Sequence, residues 1–521
     1  MRIRLFYRTG LAVILSAITS CSLAAMESTP DLLPPEQLQP NRQAIPALAY
    51  SQVAERKDLN LLTLQNALLL ALHRNPDIMI SANNRKVQRY DLLTAQQQFE
   101  PQFSISGNTN YTDNNLGQGN VYNVKSATIG PTVNWNFPLG TQLSANLGYG
   151  PTTQNGPSGY DSTQTTWTVT LTQPLLQNFG TDVNEVALNN AKDNQIVDDL
   201  QLQETVINTL AGVITDYYAM VQAQHALEIA NASLQQSQIT LKNREALLKA
   251  GRIPRLDITQ AEIDIATQKQ SLAEAQQTLV SAKGQLLNDL GLPGDTIFTV
   301  DDNIDIQQLQ PGMQSALELA AKNNLDLQIA EIQYREQQRN LLTSQNQNRW
   351  QLNLQLQDSH TITNTNYDDP LATPNTSVIA DNKSASLNLS IPLNSVTMDQ
   401  NTLSAATAMQ NQEITMLSQQ QTLKTSVLTA IQNLNSQWTS LQVSQQNLDL
   451  SNTNYKAAEI KFKYGQIDAY SLSQQQQQLI QAQINLVNAK IAYIQQVLNY
   501  EKLLGTLLDI WHIQFEVPTH A

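Results

Sequence analysis

The chain has 521 residues, a formal net charge of −14, only 14% charged residues and 6% aromatic ones. An acidic chain of this kind is poorly suited to bind nucleic acid or an anionic membrane surface, and one cysteine allows no intrachain disulfide. The length allows several domains, and Gln, Asn, Ser and Thr fill the place that charge takes in most soluble enzymes.

The first elements read as an export signal. Arg2, Arg4 and Arg8 give a basic start and Leu11 to Ile18 a short apolar stretch, too short to span a bilayer. The string ITSC ends at Cys21 and resembles a lipobox, in which cleavage precedes a cysteine that is then acylated; Ser22 in the next position favours the outer membrane. Ordinary cleavage near Ala24 or Ala25 is the alternative. Removal of 1–21 takes away three arginines and leaves about −17. A Pro-rich segment, 22–60, follows. No later run is apolar enough for a membrane helix, so entry into a membrane requires a closed β-barrel.

Helices are expected at 61–98, 177–249, 257–290, 314–347, 395–464 and 470–504. No proline lies between Pro174 and Pro254, or between Pro392 and Pro518. A helix of about 70 residues would run about 100 Å. Leu227, Leu234, Leu241 and Leu248 lie seven apart, as do Ile258, Ile265, Leu272, Leu279 and Leu286. That period predicts a coiled-coil seam. Between the helices, apolar and polar residues alternate around Phe103, Ile105 and Tyr111, around Val133, Trp135 and Phe137, and around Leu143, Leu147 and Tyr149. The same alternation recurs around Trp167, Val169 and Leu171, Leu352 to Leu356, and Leu387 to Ile391. Strands of this pattern suit a barrel with a wet lumen, or a soluble sandwich. Long polar loops are expected at 113–125, 150–165 and 358–383.

The chain also repeats itself. QNALLLALHRNPDI from Gln65 matches QSALELAAKNNLDL from Gln314 at an offset of 249; Gly251 and Gly291 match Gly465 and Gly505 at an offset of 214. The first repeat, 61–290, therefore holds 35 residues that the second, 314–505, lacks. They fall in the strand region and have the size of one hairpin, with 126–149 the candidate. The two linkers are 291–313 and 506–521. Each repeat reads short helix, strands, long helix, tight turn, return helix. The turns are Gly251-Arg252-Ile253-Pro254 and Gly465-Gln466-Ile467-Asp468, with glycine as a left-handed cap. Two such hairpins cannot enclose a pore alone.

In order and in duplicate, LTLQNALLLALHRNPDI, LTQPLLQNFG at Pro174, LSIPLN at Pro392 and KAGRIPRLDITQAEIDIATQ resemble the TolC-like outer-membrane efflux family over nearly all the chain after residue 60. The resemblance implies an α+β membrane protein: a trimeric outer-membrane β-barrel, usually with four strands per chain, continuous with a long periplasmic α-helical coiled-coil barrel. Pro174 and Pro392 would mark strand-to-helix junctions. The linkers would form an equatorial belt. Gly251, Arg252, Ile253, Pro254, Gly465, Gln466 and Ile467 would dock on a periplasmic adaptor, which joins an inner-membrane transporter. Some members close the pore with an aspartate tied to a tyrosine and an arginine. Asp257 matches that aspartate, but Phe462 and Ile467 hold the other two places, and Ser471 and Gln474 replace the family's cation-sensitive aspartates. Tyr464, Asp468 and Tyr470 are then the substitute gate candidates. No cofactor, metal or catalytic motif is expected; His512, Glu516 and His520 have helical ligand spacing, but Val517 and Pro518 break a helix there. A periplasmic adaptor, a structural envelope lipoprotein, a soluble coiled-coil scaffold and an adhesin or simple porin are the rival readings.

Overall fold

The structure is a computed structural model that describes residues 59–115, 121–155, 159–302, 306–367, 376–393, 396–511 and 513. Cys21, most of the 22–60 segment and the spacing His512, Glu516, His520 lie outside them. None of the described helices is long and apolar enough to cross a membrane.

The first repeat begins with β1 (Leu59–Leu62), α1 (Leu64–Arg74) and α2 (Pro76–Gln97). The expected single helix 61–98 is two, because Asn75 ends one helix and caps the next. Its Oδ1 accepts from the Asp77 amide at 2.8 Å, and Pro76 opens α2. The second repeat breaks at the matching place: α6 (Met313–Asn323) stops before Asn324, whose side chain caps α7 (Leu325–Gln347). Four strands follow α2: β2 (Gln102–Asn115), β3 (Val121–Asn136), β4 (Gln142–Asn155) and β5 (Tyr160–Pro174). A short α3 (Thr181–Asn184) leads into α4 (Val186–Lys249), which returns as α5 (Leu256–Asp289). The second repeat carries only β7 (Gln351–Tyr367) and β8 (Thr376–Ser390) before α8 (Val396–Lys463), α9 (Ala469–Leu504) and α10 (Leu507–Ile510). The linker between repeats supplies β6 (Phe298–Val300), which pairs in parallel with β1. At 64 and 68 residues, α4 and α8 run about 96 and 102 Å.

The remaining strands form one antiparallel sheet in the order β2-β3-β4-β5-β7-β8. The strands reach further than the alternation of bulky residues suggests, so the expected long loops shrink to the short segments between Asn115 and Val121, Asn155 and Tyr160, and Tyr367 and Thr376. Their outer parts are rich in Thr, Asn and Ser on both faces. Continuous ladder pairing, rather than an apolar stripe, defines them as strand.

The register separates two faces. Phe103, Ile129, Val133, Trp135, Leu143, Leu147, Val169, Leu171, Leu354, Leu356, Leu387 and Leu389 share one. Many of them are open to solvent: Ile105, on the same face, is 78% exposed and Leu387 63%. The other face is Ser, Thr, Asn and Gln with a few small or apolar residues, and among its described residues it carries no Asp, Glu, Lys, Arg or His.

The main core sits around the middle of α4. Val206, Leu210, Val213 and Ile214 pack with Leu68 of α1, Leu286 and Leu287 of α5, Leu62 of β1, and Phe298 and Val300 of β6. The Tyr217 hydroxyl lies 3.0 Å from the carbonyl oxygens of both Leu62 and Asp301, pinning β1 and the linker to α4. Burial pushes that hydroxyl up to about 12. A second core joins α6, α8 and α9 through Ala316, Ala320, Val427, Leu434, Tyr493 and Leu504.

Candidate gating and docking site

Both helix-reversing turns are built by the same local chemistry. The Gly251 amide donates to Leu248 O at 2.8 Å and the Arg252 amide to Leu247 O at 2.9 Å; the Gly465 and Gln466 amides do the same to Phe462 O and Lys461 O, each at 2.9 Å. These are paired helix-ending bonds that need a left-handed residue, and the two glycines have φ of 69° and 73°. Nothing lies within 4 Å of a side chain placed at either glycine, so the turns project into open space. Arg252, Pro254 and Gln466 are exposed there, with Ile253 and Ile467 half-buried.

No hydrogen bond or ion pair among the described residues joins Asp257, Tyr464, Asp468 and Tyr470 to one another. Tyr464 and Tyr470 are 73% and 63% exposed. Asp468 caps α9, its Oδ1 accepting from the Ser471 amide at 2.8 Å, and these hydrogen bonds to Ser471 hold its carboxyl below the ordinary range. Asp257 is half-buried in the first turn of α5.

What ties the two turns together is Arg244, which the seven-residue ladder does not single out. The ladder leucines 227, 234, 241 and 248 are only half-buried. The buried line of α4 lies four residues earlier at Ala223, Ala230, Ser237 and Arg244. Its small residues let the helices approach closely, and Arg244, 1% exposed, fills the end of the line. Its Nη1 donates to the Asp257 carbonyl at 3.2 Å and its Nη2 to the Ala469 carbonyl at 3.1 Å. The guanidinium lies 5.7 Å from the centre of the Phe462 ring. One side chain thus touches both return helices and the end of α8. Burial pulls its pKa below the ordinary value, and the nearby Asp264 and Asp257 carboxylates oppose that shift. The position 214 residues later is Ala458, so the clamp exists in the first repeat only.

Polar bonds continue away from the turns. Ser473 Oγ donates to Asp264 at 2.9 Å, Gln476 Nε2 to Ser237 Oγ at 3.3 Å and Gln236 Nε2 to the Tyr455 hydroxyl at 3.3 Å. The two hairpins therefore meet through neutral and charged hydrogen bonds instead of a leucine zipper.

At the sheet end, Pro174 is buried at the end of β5, and the chain runs on beside the second repeat with the Leu175 amide 2.7 Å from Leu352 O. Asn178 then takes φ of 62° and its amide donates to Asn346 Oδ1 at 2.8 Å. Pro392 lies two residues past Ser390, the last of β8, and is half-buried. Both prolines stand where strand gives way to helix. Below them Arg85 pairs with Asp199 at 2.5 Å, and Arg339 bonds Asp193 and Asn190.

A sequence profile of the outer membrane efflux proteins matches residues 141–292 and 316–506. No curated protein matches the sequence. Among solved structures, the Campylobacter jejuni CmeC outer membrane channel is similar at a TM-score of 0.64 and 11% identity, over 85% of this chain and 86% of that one. The open state of the Neisseria gonorrhoeae MtrE outer membrane channel gives 0.61 and 16%, over 85% and 89%. CusC, described through its folding and transmembrane channel formation, gives 0.64 and 15%, over 85% and 92%. A single-hairpin adaptor or a plain scaffold does not account for duplicated hairpins on one sheet. With the profile covering most of both repeats, the chain belongs to the outer membrane efflux protein family, and it is a transport channel rather than an enzyme.

Proposed function

We propose that three copies of this chain assemble into a duct whose barrel crosses the outer membrane and whose helices form a tunnel in the periplasm. The single observation that carries this is the sheet. Among the described residues it has two unpaired edges, β2 and β8, and a largely exposed apolar face. An exposed apolar face of this size is unstable in water and an open edge is not tolerated in lipid; closure with identical chains removes the edges, and insertion buries the face. The apolar face then meets lipid and the uncharged polar face lines the lumen. Two antiparallel helical hairpins per chain give a twelve-helix tunnel in a trimer.

The turns at Gly251 and Gly465 form the far end of the tunnel and dock on a periplasmic adaptor. The adaptor connects them to an inner-membrane transporter, which selects the cargo. Arg244 holds the two turns of each chain together, and Asp257 contributes one carboxylate per chain to the constriction. Cys21 is the site of a lipid anchor; the mass of the mature N-terminus separates an acylated Cys21 from a start at Met26. Native mass measurement of the detergent-extracted outer-membrane protein tests the assembly. A trimer is expected, and a monomer or dimer as the sole species overturns it.

A further inference from the structure

The 35 residues that the first repeat has in excess are the length of the segment Val121–Asn155, which is β3, its turn and β4. This segment does not project from the sheet. β2 is paired with β3 over its whole length, Gln102 to Asn115 against Asn134 to Val121, and β4 with β5 from Gln142 to Gln154, so β3 and β4 separate strands that would otherwise be neighbours. A tight turn closes the hairpin, with the Phe137 amide on Thr141 O at 2.9 Å. The inserted strands also carry the sheet's two-faced pattern. Ile129, Val133, Trp135, Leu143 and Leu147 continue the apolar face between Phe103 of β2 and Leu171 of β5.

The register gives the slope of the wall. A row of partners starting at Gln102, the first residue of β2, passes through Asn134, Ser144, Thr170 and Gln357 and reaches β8 at Ser384, six residues before its last. With the helix-side strand ends level, six residues of stagger over five strand steps correspond to a tilt of about 40°, the tilt of closed membrane barrels. On the apolar face, charge appears only beyond that depth. The Asp358–Lys383 and His360–Asp381 pairs lie seven to nine residues from the helix-side ends, and Trp167 stacks on His360. Seven to nine residues at this tilt rise about 18–23 Å, close to the height of an outer-membrane apolar band.

We infer that the inserted hairpin is part of the barrel wall, so that the trimer closes eighteen strands instead of twelve around a wide, uncharged exit. This rests on the trimeric reading above. At a spacing of about 4.8 Å and a tilt of about 40°, eighteen strands give a backbone diameter of about 36 Å and twelve about 24 Å. A lumen of that width, lined by hydroxyls and amides, does not sort cargo by size or charge at the exit. It is fitted to bulky hydrated solutes, and selection falls to the helical end.

Counting wall strands by electron cryomicroscopy of the trimer in lipid nanodiscs is the direct test. Eighteen continuous strands are expected; a trimer with twelve, and 121–155 outside the wall, overturns the inference and leaves the duct standing. A protein that is not a trimer overturns the duct itself. In planar bilayers, neutral polymers added from the outer side should enter the full-length lumen at sizes that a variant lacking 121–155 excludes. Equal size limits for the two proteins overturn the inference. Anionic and cationic polymers of equal radius should enter alike, and entry that depends on their sign overturns the uncharged lining.

Discussion

Arg244 and Ala469 are 225 positions apart in the chain, yet the guanidinium of one donates at 3.1 Å to the carbonyl oxygen of the other. The bond joins the first hairpin to the start of the second return helix, and the bond to Asp257 O joins it to the first. Charge-assisted hydrogen bonds are worth about 1.5–3 kcal/mol each. Arg244→Ala should therefore leave the trimer assembled and loosen the turns. Single-channel recordings should show higher resting conductance and more frequent openings, with Arg244→Lys intermediate. Unchanged conductance with Arg244→Ala would show that the clamp does not gate.

Gly465 sits at φ of 73° with free space around it. A Cβ there has no non-adjacent atom within 4 Å, but it strains the backbone by about 1–2 kcal/mol. That misplaces one turn without unfolding the protein. Gly465→Val should keep membrane abundance and the trimer near wild type, while export and adaptor cross-linking both fall severalfold. Normal cross-linking and normal export would remove this turn from the docking surface.

Asp257 and Asp468 are separable by the same recordings. In the proposed trimer, three Asp257 carboxylates would surround a narrow axis and attract cations. Asp257→Asn should weaken block by multivalent cations by about tenfold, a difference of about 1.4 kcal/mol in binding. Asp468 is occupied as a helix cap, and Asn caps equally well. Asp468→Asn should change block little. The reverse ranking would move the cation site to the second turn.

Asp289, at the end of α5, is pushed up to about 7, first by burial and then by the neighbouring carboxyl of Asp216. The folded protein holds this proton more tightly than the unfolded chain, so its contribution to stability is complete below about pH 4. It is lost as pH rises through about 7. The thermal midpoint should fall between pH 5 and pH 8, and Asp289→Asn should flatten that fall and raise the midpoint at pH 8. Parallel curves for the two proteins would exclude the carboxyl pair as the source.

Much of this was legible in the sequence because it is carried by local chemistry. Glycines at 251, 291, 465 and 505 end four helices with the same pair of bonds, and the matching offsets mark the duplication. The missing 35 residues announce a hairpin, although only the pairing shows that it lies between β2 and β5. The split at Asn75 had a signal in Pro76, whereas the split at Asn324 was harder to see, since Asn is tolerated within helices and only its capping bond decides there. Arg244 was invisible for a different reason. A ladder of leucines draws attention to half-buried positions, whereas close packing selects the small residues beside them, and a lone arginine in that line has no periodic signature. The turn at Gly465 placed Tyr464, Asp468 and Tyr470 beside it but gave no information on what they touch.

In the proposed trimer, the unequal division of strands, four from one repeat and two from the other, changes the symmetry along the molecule. The helical hairpins are near copies, so a trimer presents six quasi-equivalent grooves to whatever binds its helices. At the outer face the copies no longer correspond: panels of four and two strands alternate, and only the threefold axis survives. A partner that embraces the tunnel can therefore be present in six copies, each in one of two slightly different settings. A ligand that approaches from outside the cell finds three identical sites and no more.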